Sequence, residues 1–298
     1  MPYVHLVFTI PHALNGLAGS HFRLVTDILF AAAAQTLSQF GANPHWLGGM
    51  LAFSLVLHTW TQNLLRHLHV HALVANGALG DDGQWIHGRQ GFLFPVKALS
   101  KVFREKFIDA LKLARHTRRH GWECDDASWR GLLAALRRHD WVVYAKEPLG
   151  GPAQVLDYLG RYTHKTAISN ERLVEVRDGV LLFLVRDRDH PGKKRIERLP
   201  VDTFISRFLL HVLPSGFKRI RHYGLLASCH KREQLARCRS ALDLPVPEPA
   251  VIEAVNAFMR RVAGINIAHC SCCDDGQFRL VGIIAPLRHA HNARGPPP

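Results

Sequence analysis

"RHLHVHALV" runs from Arg66 to Val74 and sets histidines at positions 67, 69 and 71. Read as a β-strand, whose side chains alternate with period two, it sends all three imidazoles from one face, neighbours about 7 Å apart. Two imidazoles so placed can share a cation. The unprotonated ring nitrogen ligates first-row divalent ions, whereas magnesium prefers oxygen, so the pair needs a mixed completion. His58 or Gln62, at the end of the preceding apolar stretch, is the expected third ligand. The competing reading is coincidence, because a chain with 20 histidines places some at alternate positions by chance.

Outward from that strand a sheet assembles. "GMLAFSLVLHTW" (Gly49 to Trp60) and "LHVHALVANGAL" (Leu68 to Leu79) are dominated by apolar and β-branched residues, with Asn76-Gly77 and then Asp81-Asp82-Gly83 supplying turn chemistry. "YVHLVFTI" (Tyr3 to Ile10) reads as a strand ended by Pro11, and "WVVYA" (Trp141 to Ala145) as another. Helical spacing marks His21 to Phe40 and Pro95 to His120, and a further helix begins after Gly150-Gly151-Pro152. Leu173 to Val185 reads as a hairpin about Asp178-Gly179, and Asp202 to Leu213 as a helix stopped by Pro214. A proline-spaced linker at 244–250 precedes a last helix and a cysteine-bearing tail. The expected fold class is α+β. Its expected parts are a catalytic domain over 1–170, a hairpin with a basic, mostly helical DNA-binding portion over 171–243, and a linker, helix and tail over 244–298.

Bulk composition narrows the function. Lysine and arginine total 38 against 24 acids, a formal charge of +14, which points to a polyanionic partner. The longest uncharged apolar stretch, around Ile28 to Ala34, falls far short of the roughly 18 residues a membrane span needs, and the first ten residues lack a basic start with an apolar run. A cytoplasmic protein without membrane partners is expected. Six cysteines at 124, 229, 238, 270, 272 and 273 are too sparse for a disulfide scaffold.

"VLDYLGRYTHK" (Val155 to Lys165) places Tyr158 and Tyr162 at i and i+4, so on a helix their phenols share a face. Gly160 between them costs of the order of 1 kcal/mol against alanine, which suggests a close approach to the backbone there. A phenol is a poor nucleophile at neutral pH unless cations lower the cost of the phenolate, and Arg161, His164 and Lys165 stand beside it. Packing of an aromatic pair against the sheet is the plainer account of the spacing. The two motifs nevertheless fit one reaction: a cation on paired histidines stabilises charge on a phosphodiester while a tyrosine displaces the sugar oxygen and keeps the bond energy as a phosphotyrosine.

The same residues carry a resemblance. His69-Val70-His71, "YLGRYTH", and the phrases "FTIPHAL", "VLHTWTQNL", "WVVYAKEPLGGP", "YTHKTAISN", "FLLHVLPSGFKRIRHYGLLA" and "LARCRSAL" resemble the two-tyrosine HUH transposases of insertion-sequence family ninety-one, over roughly residues 3 to 242. That resemblance implies an HUH endonuclease-like central antiparallel sheet with flanking helices. It implies His69 and His71 as ligands of a divalent metal, magnesium or manganese, and Tyr158 and Tyr162 as nucleophiles that cut and rejoin single-stranded DNA at transposon ends and target. Family members usually carry a cysteine-rich zinc segment ahead of "FTIPH", whereas here Met1-Pro2 leads straight into it, and weaker recognition of DNA ends is the expectation. Leu68 stands where many relatives have proline, a change expected to be tolerated.

Other basic and cysteine-bearing stretches are less specific. "GFKRIRHYGLLASCHKREQLARCR" interleaves Phe217 and Tyr223 with cations, so Lys218, Arg219 and Arg221 join Arg161 and Lys165 as expected DNA contacts, against the alternative of a solvated basic face. "GKKRIER" reads as a hairpin tip touching phosphate without reading bases. Cys270 and Cys273 resemble a degraded zinc knuckle that His269, His289 or His291 would have to complete, and free thiols are the expected state. Two rivals to the transposase remain at this point: a catalytically silent, truncated DNA-binding remnant, and a zinc hydrolase, which leaves the tyrosine pair and the charge unexplained.

Overall fold

The computed structural model describes residues 2–89, 93–149, 160, 167–187, 189–190, 192–246, 253–270, 272–273, 275–279 and 281–282. Residues Met1–Val246 form one compact unit and Pro247–Pro298 a second. In chain order the first unit holds β1 (Tyr3–Thr9), α1 (Asn15–Ser20), α2 (Phe22–Ala42), β2 (Gly49–Trp60), β3 (Arg66–Gly80), β4 (Trp85–His87), α3 (Val96–His116), α4 (Asp126–Arg137), β5 (Val143–Leu149), β6 (Leu173–Arg177), β7 (Val180–Arg186), β8 (Lys194–Pro200), α5 (Val201–Leu209), β9 (Ile220–Gly224) and α6 (Lys231–Ala241). The second unit contains α7 (Val255–Ala263).

The histidine strand β3 is the middle of the main antiparallel sheet, ordered β5-β1-β3-β2-β9, with β4 also paired to β3. Alternation divides the sheet into two chemistries. Leu68, Val70, Ala72 and Val74 of β3, Leu6 and Phe8 of β1, and Phe53, Leu55 and Leu57 of β2 turn to one face, where Ile28 and Leu29 of α2 and Leu99, Phe103 and Phe107 of α3 complete the core. Full burial of each valine, leucine, isoleucine or phenylalanine among them contributes about 1.5–3 kcal/mol. The histidines at odd positions of β3 leave from the opposite face. This is the α+β arrangement that the sequence implied, with its flanking helices on the apolar side.

Asn76-Gly77 makes no turn; it lies inside β3, which continues to Gly80. Gly77 is needed for another reason, since a Cβ there would meet the Trp85 ring of β4 at 2.6 Å. The chain turns instead at Asp81-Asp82-Gly83, where Gly83 has φ +80°. The helix expected to reach His120 stops at His116, because Arg118 and His120 take left-handed backbone (φ +48° and +58°).

The hairpin about Asp178-Gly179 forms as expected, both turn residues having positive φ (+51° and +74°). It belongs to a second sheet, β6-β7-β8, whose Leu181, Phe183, Val185 and Leu199 pack with Val201 and Phe204 of α5. The portion over 171–243 is therefore not mostly helical: β8 and β9 arise where the sequence suggested a basic tip and a basic surface. Both lie at sheet edges, where charged side chains are tolerated and guard against edge-to-edge pairing. β9 closes onto β2 through Gly224, whose φ of +56° lets its backbone meet the Leu51 carbonyl where a side chain would clash.

Candidate functional site

Three imidazoles meet on the polar face of the main sheet. His58 of β2 stands directly opposite His69 of β3, and His71 follows two residues on. Ring centroids lie 5.4 Å apart for His58–His69, 4.2 Å for His58–His71 and 4.9 Å for His69–His71. One nitrogen from each ring falls within 4.8 Å of the other two, a donor set able to hold one metal ion. His58 and His71 are buried, at 6% and 8% exposure.

The protonation chemistry suits ligation. His69 Nδ1 lies 2.9 Å from the His67 carbonyl, which can only accept, so Nδ1 carries the proton and Nε2 keeps its lone pair. Burial pushes the His69 imidazole down to about 4, outweighing that carbonyl bond, which leaves the ring neutral at physiological pH. His71 Nδ1 is 2.8 Å from Nε2 of His5 on β1, with the two rings stacked at 5.0 Å, so His71 too is oriented through one nitrogen. His5 is 1% exposed. A lone histidine in an apolar strand gives no motif; only the pairing of β1 with β3 reveals its role. Trp60 stacks on His58 at 4.7 Å and steadies the third ring.

Gln62 lies in the connection from β2 to β3, its Oε1 accepting the Arg186 N–H at 2.6 Å. Of the two expected completions, the structure thus brings His58 into the imidazole cluster and turns the Gln62 carboxamide to the second sheet. His67 leaves the cluster, its Nδ1 3.1 Å from His12 Nε2.

The imidazoles form the floor of a cavity of about 510 Å³, walled by Trp60, Gln62, Arg172, Arg186 and Lys194. A larger hollow of about 840 Å³ beside Arg115, Trp122 and Trp129 contains none of these histidines, and the chemistry favours the smaller one. A family model described as "Putative transposase" (Y2_Tnp) matches residues 52–234, which take in the three imidazoles and the cavity wall. The chain belongs to the Y2_Tnp transposase family. It is 41% identical over 300 residues to "Putative transposase y4qJ" of Sinorhizobium fredii (strain NBRC 101917 / NGR234), spanning 96% of this chain and 75% of that one. It is 27% identical over 254 residues to the "Transposase for insertion sequence element IS801" of Pseudomonas savastanoi pv. phaseolicola, spanning 83% of this chain and 60% of that one. Among solved structures it is similar to "Conjugative Relaxase TrwC in complex with mutant OriT Dna", with a TM-score of 0.29 and 14% identity over 79% of this chain and 72% of that one. The insertion-sequence resemblance carried by the motifs is the family found.

In this transposase family member, Tyr158, Tyr162, Arg161 and Lys165 lie outside the described residues. Gly160, between them in the sequence, is described, and no described atom falls within 4 Å of a Cβ built there. Lys218 is exposed, ahead of β9. Arg219 donates through Nε to the Leu57 carbonyl at 3.0 Å and lies over the Trp60 ring at 5.0 Å. Arg221 donates to Asp27 at 2.8 Å and stacks on Phe30 at 4.1 Å; opposite Leu55 in register, it faces the core side of the sheet. Among the described residues no helix is long and apolar enough to cross a membrane.

In the second unit, the Cys270 N–H donates to the Gly276 carbonyl at 2.7 Å and the Cys272 N–H to Cys270 Sγ at 3.4 Å, while His269 and Gln277 form a β-bridge. Hydrogen bonds to its sulfur, the Cys272 N–H first among them, hold the Cys270 thiol below its ordinary pKa. His289 and His291 lie outside the described residues.

Proposed function

We propose that this transposase cleaves and rejoins single-stranded DNA through phosphotyrosine intermediates, with Tyr158 and Tyr162 as nucleophiles. His58, His69 and His71 are the metal ligands in this reading, and catalysis belongs to residues 1–170 with DNA binding added by 171–243. The observation that carries it is the convergence of three imidazoles at the floor of a cavity with a cationic wall. Three nitrogen donors suit manganese or another first-row ion better than magnesium.

A divalent ion held there supplies charge stabilisation for the non-bridging oxygens of a phosphodiester. The chain's own residues do the rest. His69 and His71 present Nε2 because Nδ1 of each is engaged by the His67 carbonyl or by His5. The tyrosine oxygen bonds to phosphorus as the bond from phosphorus to the sugar oxygen breaks, and the released sugar hydroxyl takes up the proton the phenol loses. The ester formed keeps the energy for rejoining, so no nucleotide cofactor is needed, and two tyrosines allow two strands to be held in one cycle.

Incubation of the whole chain with labelled single-stranded DNA and manganese should give a covalent adduct that survives denaturing electrophoresis and is absent in chelator. DNA bound reversibly without any adduct would identify the silent remnant instead. A second expectation concerns His5, which bonds His71 and lies outside the three-imidazole donor set. His5→Phe should weaken manganese binding about 10–100-fold, the usual cost of losing a partner behind a metal ligand. Unchanged affinity by calorimetry would show that the His5–His71 contact is packing alone.

A further inference from the structure

In the register of β7 and β8, Arg186 stands directly opposite Lys194. Side chains so placed share a face with Cβ atoms about 4.5–5.5 Å apart, and like charges there are destabilising. Both line the histidine cavity, as does Arg172 from the turn before β6. The Arg172 guanidinium is fixed by bonds to the carbonyls of Leu184 and Gln62, each 2.7 Å, neither of which cancels its charge. Burial and the nearby Arg186 both press its pKa below the ordinary arginine value. Glu171 also lines the cavity, yet among the described residues no ion pair joins a carboxylate to Arg172, Arg186 or Lys194. The hydrogen bond from the Arg186 N–H to Gln62 ties this strand end to the turn between the two histidine-bearing strands. Three cations are thus held together, at a cost to stability, over the imidazoles.

We propose that Arg172, Arg186 and Lys194 form a clamp that holds the phosphate backbone of single-stranded DNA across the histidine centre. The clamp rests on the reading of the chain as a single-strand transposase and names the side chains that position its substrate. Its counter-charge is the polyanion itself: arginine engages phosphate through a planar fork and lysine as a point charge, and both are already rigidly based on one small sheet. Arg221 has its counter-charge in Asp27, and Arg219 lies outside the lining of the histidine cavity.

The test is fluorescence anisotropy with a labelled single-stranded oligonucleotide over a salt series, on the whole chain. Arg186→Glu with Lys194→Glu should weaken binding tenfold or more and reduce the log-log salt slope by about 1.4, at about 0.7 for each phosphate no longer neutralised. Lys97→Glu with Arg130→Glu, an equal charge change at two exposed positions of α3 and α4, should leave the slope near wild type. Arg186→Gln with Lys194→Gln removes the repulsion without adding charge, so it should melt at or above the wild-type temperature while losing the same slope; that pairing of gained stability with weakened binding separates a clamp from a folding defect. Manganese affinity without DNA should not fall in either variant, because taking positive charge from the cavity wall cannot repel a cation. A wild-type slope in the Arg186/Lys194 variants, or equal losses in the Lys97/Arg130 control, overturns the clamp. A wild-type chain that binds with the full slope yet forms no adduct removes the nuclease reading and leaves the clamp standing.

Discussion

Phenylalanine at both Tyr158 and Tyr162 should bring covalent adduct formation with labelled single-stranded DNA down to background, while salt-sensitive binding stays within about twofold of wild type. The change removes two hydroxyls and no charge, so the electrostatic part of binding, which dominates affinity for a nucleic-acid backbone, has nothing to lose. Each single change should instead leave some adduct and impair a different part of the cycle, because one phenol still reaches phosphorus. Gel analysis after denaturation measures this directly. An adduct persisting in the double variant would mean that another side chain is the nucleophile and that the four-residue spacing serves packing.

Alanine at His69 and His71 together should have a comparable effect by another route. With two of the three imidazoles gone, the remaining His58 nitrogen cannot hold a cation in competition with water, and adduct formation in manganese should fall by more than the ~100-fold upper range for losing a mere outer partner. Both side chains leave from the sheet face opposite Val70, Phe103 and Phe107, so the apolar core is left intact and cooperative melting should persist. Calorimetric titration of manganese and the same gel assay read the two losses separately. Wild-type adduct yield in this variant would mean that the cluster has no part in the chemistry.

The centre of the fold was legible because its signals are local. Period two in "RHLHVHALV" and the turn at Asp178-Gly179 need no knowledge of distant partners, since neighbouring residues alone set them. What escaped depends on pairing across the chain. β9 is five residues long and reads as a basic loop until its register with Ala52 to Val56 is known, and β8, "KRIERLP", hides a strand beneath edge charges. Asn-Gly favours a turn and so marks Gly77 as half of one, and tertiary contact with Trp85 decides otherwise. His5 and Arg186 carry no signature at all in their own segments; their roles follow from neighbours 66 residues away in one case and 124 in the other. Charge alone marks Arg221 as an expected DNA contact, and its bond to Asp27 and its stack on Phe30 become legible only from the sheet register.

The pairing of β9 with β2 also sets the order in which this chain can be finished on the ribosome. β2 is complete at residue 60 and its last partner begins at residue 220, so about 160 residues must be synthesised between them, roughly 8–32 s at 5–20 residues per second. Through that interval one side of the strand that carries His58 presents unpaired N–H and C=O groups, the feature by which sheets recruit foreign strands. Nascent chains stalled before residue 220 should therefore be aggregation-prone even with both helices α2 and α3 already laid on the sheet, and yield on expression should depend on holdase chaperones more than the stability of the completed protein would suggest.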